Sequence, residues 1–102
     1  MLEISLSEFK NFKDKHEWIF MFTLGFCTPC KQYFNEIKDE ELLGKYVKVK
    51  AETEEELLDI DINALPCTTI FDRDGGIKWR KYGILFGSQL EDLKKNFTKY
   101  DF

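Results

Sequence analysis

The stretch from Gly25 to Phe34, "GFCTPCKQYF", places Cys27 and Cys30 two residues apart where one sequence pattern gives way to another. Before it, residues 17–24 ("EWIFMFTL") form a continuous apolar run whose length and aromatic content favour a buried central strand. After it, apolar residues recur at helical spacing as far as residue 43. A Cys-x-x-Cys pair at such a strand–helix junction is typical of a dithiol redox site.

The remaining elements follow from local patterns. A capping box at residues 5–8 ("SLSE") predicts a first helix to about Lys15, and another at residues 88–91 ("SQLE") opens a last helix. Asp74-Gly75-Gly76 between two strand-like runs predicts a β-hairpin. The order β-α-β-α-β-α-β-β-α therefore predicts an α/β fold, a mixed four- to five-stranded sheet with helices on both faces.

Composition excludes several functional classes. The 102 residues suit a single domain, residues 1–102, and the net charge of −4 comes from interleaved acidic and basic residues. Without a basic face we expect no nucleic-acid partner, and without a run of about 20 apolar residues we expect no membrane span. No signal-peptide pattern begins the chain, so we expect a cytoplasmic protein, and we expect it to be monomeric.

The two cysteines of the pair are chemically distinct. Cys27 precedes the first turn of the predicted second helix, where free backbone N–H groups and the helix dipole stabilise a thiolate. Pro29 suits an early helical position because no N–H donor is required there. We therefore expect Cys27 to be the attacking thiol and Cys30, within the first turn, to resolve a mixed disulfide.

Two other uses of the pair remain open. A structural disulfide across two residues closes so small a loop that it removes little entropy from the unfolded chain. A zinc site needs about four Cys or His ligands, and only Cys67 and His16 remain, without a second close pair. We therefore expect no metal and no cofactor besides the Cys27–Cys30 redox disulfide.

The residues "FTLGFCTPCKQYF", "ALPCTTIF", "DGGIKW" and "KYGI" together resemble the thioredoxin family over nearly the whole chain. The resemblance implies the thioredoxin fold and a cis peptide bond before Pro66. It also implies that Gly83 lets a substrate approach the dithiol. Carried over by position, the substrate-binding surface comprises Phe26, Thr28, Pro29, Leu65, Pro66, Gly83 and Ile84.

The chain departs from the family pattern at several positions. Phe26 replaces the usual Trp and Thr28 the usual Gly, and both changes should shift the reduction potential. Met21 stands where the family keeps a buried Asp that helps take the proton from the resolving thiol. Lys48 matches the lysine near that site, either as a modulator or as an exposed strand residue. Cys67 follows Pro66, either as a small buried residue or as a regulatory partner for Cys27.

The resemblance implies an enzyme, a protein-disulfide reductase acting as a thioredoxin-like electron carrier. Its partners would be protein disulfide substrates and, as electron donor, a flavoprotein of the thioredoxin reductase type. One alternative is a binding or adaptor module on the same fold, with a dispensable dithiol. The other is a glutaredoxin-like reductant, although no Gly-Gly-Asp glutathione signature follows the last strand.

Overall fold

The computed structural model describes residues 2–24, 45–83, 85 and 87–98. The predicted second helix lies outside these ranges. The strands are β1 (Leu2–Ser5), β2 (Ile19–Leu24), β3 (Tyr46–Ala51), β4 (Cys67–Phe71) and β5 (Ile77–Tyr82). The described helices are α1 (Leu6–Lys10), a 3₁₀ turn (Lys15–Glu17), α2 (Glu54–Leu58) and α3 (Ser88–Thr98).

The five strands form one mixed sheet in the order β1-β3-β2-β4-β5. Strands β1 and β2 run parallel to β3, whereas β4 is antiparallel to both β2 and β5. The predicted mixed sheet, with early parallel pairing and a terminal hairpin, is confirmed. The antiparallel pairing of β2 with β4, two strands distant in sequence, was not predicted.

Strand β2 is the buried centre of the sheet, as its apolar run predicted. Residues 19–22 are fully buried, and their side chains alternate between the two faces of the sheet. Phe20 and Phe22 enter one core cluster, while Ile19 and Met21 enter the other. A strand buried on both faces needs this continuous apolar sequence.

Helices cover both faces. On the first face, Phe9 of α1 makes edge-to-face contacts with Phe20 and Phe22, each with ring centroids 5.0 Å apart, and Leu57 of α2 joins the same cluster. On the second face, Leu93 of α3 packs in the cluster of Met21. The central strand β2 is therefore packed against helices on both faces of the sheet.

Helix α1 is shorter than predicted. The capping box at its start is present: Glu8 N–H donates to Ser5 Oγ at 3.1 Å, and Glu8 Oε1 accepts from Ser5 N–H at 3.1 Å. The helix ends at Lys10 instead of about Lys15, because the backbone leaves helical geometry at Asn11 and turns left-handed at Asp14, with φ of 54°. Apolar residues continue to recur at helical spacing after Lys10, but the backbone is no longer helical there.

The second predicted capping box is wrong. Ser88 is the first residue of α3, not its N-cap. The Glu91 N–H donates to the carbonyl oxygen of Gly87 at 3.2 Å rather than to the Ser88 hydroxyl. The sequence located the helix correctly and misplaced its cap by one residue.

The hairpin between β4 and β5 is built by Asp72 and the glycines that follow it. Asp72 Oδ1 accepts hydrogen bonds from the N–H groups of Asp74, at 3.0 Å, and Gly76, at 2.8 Å. Gly75 has φ of 89°, a conformation that glycine adopts without steric cost. The predicted Asp-Gly turn is confirmed.

Candidate functional site

The site predicted from the sequence falls partly outside the described residues. Six of the predicted site residues lie outside the described ranges: Cys27, Cys30, Phe26, Thr28, Pro29 and Ile84. The described members are Leu65, Pro66 and Gly83, with the proposed modulators Lys48 and Cys67. The structure brings the first three together at the end of the β4–β5 hairpin and places the two modulators on separate faces of the sheet.

The peptide bond between Leu65 and Pro66 is cis, the conformation that the resemblance implies. The Pro66 carbonyl oxygen accepts a 2.8 Å hydrogen bond from the backbone N–H of Gly83, which follows β5 directly. Gly83 has φ of 90°, and a Cβ built there would meet no atom within 4 Å. Glycine is therefore required by backbone conformation and not by crowding.

An aromatic residue that the sequence reasoning missed stands beside this turn. Tyr82 is the last residue of β5, opposite Cys67, and is 42% exposed. Its hydroxyl donates to the carbonyl oxygen of Asp61 at 3.2 Å, joining β5 to the segment after α2. The sequence "KYGI" could have indicated this residue, because Tyr82 directly precedes Gly83. A residue next to a site glycine at the end of a strand lies at the edge of that site.

The position of the missing acid lies in the middle of the sheet. Met21 is fully buried and pairs in register with Lys48 of β3 and with Thr68 of β4. Thr68 is also fully buried, and its hydroxyl has no hydrogen-bond partner. Neither strand neighbour of Met21 therefore supplies a carboxylate.

Lys48 contacts an acid at the sheet edge. Its Nζ lies 3.8 Å from Glu3 Oε2 of β1, and its side chain is 27% exposed. A partly exposed ion pair of this kind contributes at most about 1 kcal/mol. Lys48 is therefore neither a fully solvated strand residue nor a buried charge.

Cys67 is fully buried in the cluster of phenylalanines on the first face, opposite the face of Met21. Its Sγ lies 3.6 Å from Thr69 Oγ1, which accepts a 2.9 Å hydrogen bond from Arg80 Nε. Burial raises the pKa of the Cys67 thiol, and the Thr69 hydrogen bond and the Arg80 charge offset only part of that rise. The geometry thus favours the small-buried-residue interpretation of Cys67 over the regulatory one.

The described residues are compatible with neither a metal centre nor a membrane-spanning helix. Within the described ranges, no group of three or more His, Cys, Asp or Glu side chains is placed to hold a metal ion. The zinc alternative involves Cys27 and Cys30, which lie outside those ranges. No helix in the described part of the chain is long and apolar enough to cross a membrane.

Comparison with solved structures identifies the fold. The chain superposes on chloroplastic thioredoxin z with a TM-score of 0.68 at 20% identity, covering 97% of this chain and 95% of the other. It superposes on Chlamydomonas reinhardtii thioredoxin f2 with a TM-score of 0.68 at 16% identity, covering 98% and 95%. For a Schistosoma mansoni thioredoxin pre-protein in its reduced form the TM-score is 0.67 at 24% identity, covering 94% and 96%.

These superpositions cover the mixed sheet and the helices on both of its faces, so the chain has the thioredoxin fold. No protein-family model matches the sequence. No curated protein matches it either.

Proposed function

We propose that this chain is a thioredoxin-like thiol-disulfide oxidoreductase that reduces protein disulfides through Cys27 and Cys30. The observation that carries the proposal is the turn at Leu65 and Pro66. It places the buried Pro66 beside the strand that leads into the cysteine pair, and the Pro66 carbonyl oxygen accepts a hydrogen bond from the Gly83 N–H. The thioredoxin fold of the chain supports the same conclusion at the level of architecture.

Chain connectivity supports the pairing of this turn with the dithiol. Phe22 of β2 lies opposite Cys67 in antiparallel register. Strand β2 ends at Leu24, which, like Leu65, packs against the first-face core cluster. Cys27 follows Leu24 by three residues in the sequence, and three residues of extended chain span at most about 11 Å. This bound applies to the distance between Leu24 and Cys27, and it supports the proposal that Cys27 reaches a segment bound at the turn.

The reaction consists of two exchange steps. The Cys27 thiolate attacks one sulfur of the target disulfide, forming a Cys27–target disulfide and releasing the other target sulfur as a thiolate. The Cys30 thiolate then attacks the Cys27 sulfur, forming the Cys27–Cys30 disulfide and releasing the second target sulfur. Two electrons pass from the dithiol to the target, and the target thiolates take up two protons.

The oxidised pair must then be reduced from outside. The sequence contains no cofactor-binding motif, so we propose a flavoprotein of the thioredoxin reductase type as electron donor. We propose that extended segments of partner proteins lie against Phe26, Thr28, Pro29, Leu65, Pro66, Gly83 and Ile84. A monomer in the cytoplasm, where thiols are kept reduced, suits this role.

Proton handling should differ from that of an acid-bearing thioredoxin. With Met21 at the centre of the sheet and Thr68 and Lys48 as its strand neighbours, no carboxylate occupies this position. We propose that Cys30 loses its proton to water or to a carboxylate elsewhere. Resolution of the mixed disulfide should then be slower near neutral pH and should accelerate as pH rises toward the thiol pKa.

A binding or adaptor role is the second candidate. The observation that favours it is the same buried Met21, since an adaptor has no need of a proton acceptor for a resolving thiol. The retention of Cys27, Cys30 and Pro66 favours the reductase.

Reduction of insulin disulfides by dithiothreitol, followed by turbidity, separates the two candidates. We expect the wild-type protein to accelerate precipitation and Cys27→Ser to give the uncatalysed rate. Cys67→Ser is the matched control, since it removes a thiol of the same chain while leaving the pair intact. Equal rates for wild type and Cys27→Ser would favour the adaptor.

A further inference from the structure

A groove of about 1200 Å³ opens at one edge of the sheet, beside the turn at Leu65. It lies where β1, β2 and β3 end and where α1 and α2 begin. Its apolar lining includes Leu24 at the end of β2, Ala51 at the end of β3, and Leu65 itself. The groove therefore continues the proposed substrate surface away from the cis-proline.

Acidic side chains dominate the charge of the described part of this groove. Among the lining residues that the structure describes are five glutamates and one basic residue, Lys50. The glutamates are Glu3, Glu8, Glu52, Glu54 and Glu56. A groove with apolar residues along its length and an excess of one sign of charge on its walls attracts a ligand of the opposite charge.

Some of these carboxylates are accounted for by local structure. Glu8 closes the capping box of α1, and Glu56 Oε2 accepts a 3.2 Å hydrogen bond from the backbone N–H of Glu52. Glu3 is paired with Lys48. Local contacts therefore explain the carboxylates of these three glutamates without any ligand in the groove.

Glu52 and Glu54 differ from the other three. Both are exposed, and in the described part of the chain neither carboxylate makes a hydrogen bond or an ion pair. Helix α2 already has its cap, since Thr53 Oγ1 accepts from the Glu56 N–H at 3.3 Å. Capping of α2 therefore does not depend on either carboxylate, and no described residue pairs with them. Glu54, in the first turn of α2, also interacts favourably with the helix dipole, and this interaction leaves its carboxylate exposed to a partner.

We propose that this groove selects basic protein substrates: segments in which lysine or arginine flanks the disulfide-bonded cysteine. An extended segment bound at the Leu65–Pro66 turn would lay its apolar side chains along Leu24 and Leu65 and its cationic ones against Glu52 and Glu54. Complementary charge of this kind raises the rate of encounter and disfavours acidic segments. The inference rests on the proposed function, because it names the substrate class of the same site.

The test compares two synthetic peptides of one sequence, each with an internal disulfide flanked by lysines or by glutamates. At low salt we expect kcat/KM to be about fivefold to tenfold higher for the lysine peptide, and we expect the difference to shrink in 0.5 M NaCl. In Glu52→Gln/Glu54→Gln the preference should fall about threefold to fivefold, the scale of two exposed ion pairs. Glu55→Gln/Glu91→Gln, which removes two exposed charges outside the groove lining, should keep the preference.

Binding of the same peptides with both cysteines changed to serine, measured by fluorescence anisotropy, makes the result independent of turnover. If both disulfide peptides are reduced equally and the serine peptides bind equally, the groove has no charge preference and the inference is overturned while the reductase stands. If neither peptide is reduced but the lysine version binds more tightly, the charge preference of the groove is supported and the proposed reductase activity is contradicted. Failure of both reduction and preferential binding overturns both.

Discussion

The backbone N–H of Gly83 donates a 2.8 Å hydrogen bond to the carbonyl oxygen of Pro66, joining the end of β5 to the turn that precedes β4. The bond extends the β4–β5 ladder by one step beyond the pair of Cys67 with Tyr82. Because Gly83 has φ of 90°, this step depends on a residue without a Cβ.

Gly83→Ala should destabilise the fold and slow insulin reduction. An L-residue at this φ costs about 1–2 kcal/mol of unfolding free energy, although a Cβ would meet no neighbouring atom. Gly75→Ala is the matched control, because Gly75 has φ of 89°, equally open space and a place in the distant hairpin. Urea unfolding should show similar losses for both variants, with reduction slowed only by Gly83→Ala. Equal activity in the two would remove Gly83 from the site.

Met21→Asp should be poorly tolerated, even though it restores the acid of the family pattern. The side chain is fully buried between Lys48 and Thr68 in register, and an uncompensated carboxylate there costs about 3 kcal/mol or more. Burial raises the pKa of such a carboxyl in the folded state, so the variant's deficit should be smaller at pH 5 than at pH 8.

Met21→Leu provides the control for that substitution, since a volume-conserving apolar change usually costs under about 1.5 kcal/mol. Its deficit should not vary between the two pH values. A Met21→Asp variant as stable as wild type at pH 8 would mean that Lys48 or Thr68 already provides a site for the charge.

The Cys67 thiol should resist alkylation in the folded protein. In Cys27→Ser/Cys30→Ser only this thiol remains, and its raised pKa keeps it protonated where an ordinary thiol ionises. Iodoacetamide should modify it at least about 100-fold more slowly in the native state than in urea, because access requires local opening. Rapid native-state alkylation would contradict its burial.

The same pKa shift predicts how stability depends on pH. The folded pKa of Cys67 lies above the unfolded one, so its contribution is complete below the unfolded pKa and is lost as pH rises through the folded pKa. In the Cys27→Ser/Cys30→Ser background, unfolding free energy should therefore decline above about pH 8.5. Adding Cys67→Ala should flatten that decline, and an unchanged slope would contradict the shift.

Trp79 should stabilise the contact between β5 and α3. Its Nε1–H donates to Asp92 Oδ2 at 2.8 Å, and its ring packs in the second core cluster with Leu93. Asp92→Asn keeps an oxygen that can accept this bond but loses the negative charge, so it should cost about 1 kcal/mol, the difference between a hydrogen bond to a charged and to a neutral acceptor. Asp59→Asn, an exposed change elsewhere, should stay within about 0.5 kcal/mol in the same urea titration.

The sequence predicted most of the architecture because periodicity and turn chemistry are local signals. The apolar run at residues 17–24 became the central strand, and Asp74-Gly75-Gly76 became the hairpin turn. Helix ends were less predictable: the spacing that continued to Lys15 did not anticipate a left-handed Asp14. The start of α3 differs from the predicted one by a single residue. The hydrogen bond from the Glu91 N–H to the Gly87 carbonyl oxygen decides this position, and the sequence pattern does not show it.

Predictions about the site depended on contacts distant in sequence. The resemblance singled out Pro66 and Gly83, and the structure adds the hydrogen bond that joins them. No local pattern showed that Tyr82 would bond to Asp61 or that Glu52 and Glu54 would line one groove with Leu65. Such relationships arise only when the strands are paired. The roles of Cys27 and Cys30 stay predictions, because both lie outside the described residues.

The reduction potential of the Cys27–Cys30 couple tests the central claim most directly. In Cys67→Ser, so that no other thiol interferes, the protein is equilibrated in redox buffers, and the free thiols are then alkylated and counted by mass. We predict a two-electron transition between roughly −270 and −120 mV, the range of dithiol oxidoreductases on this fold. The absence of a paired two-electron transition, or a disulfide that stays oxidised below about −300 mV as structural bridges do, would contradict the account.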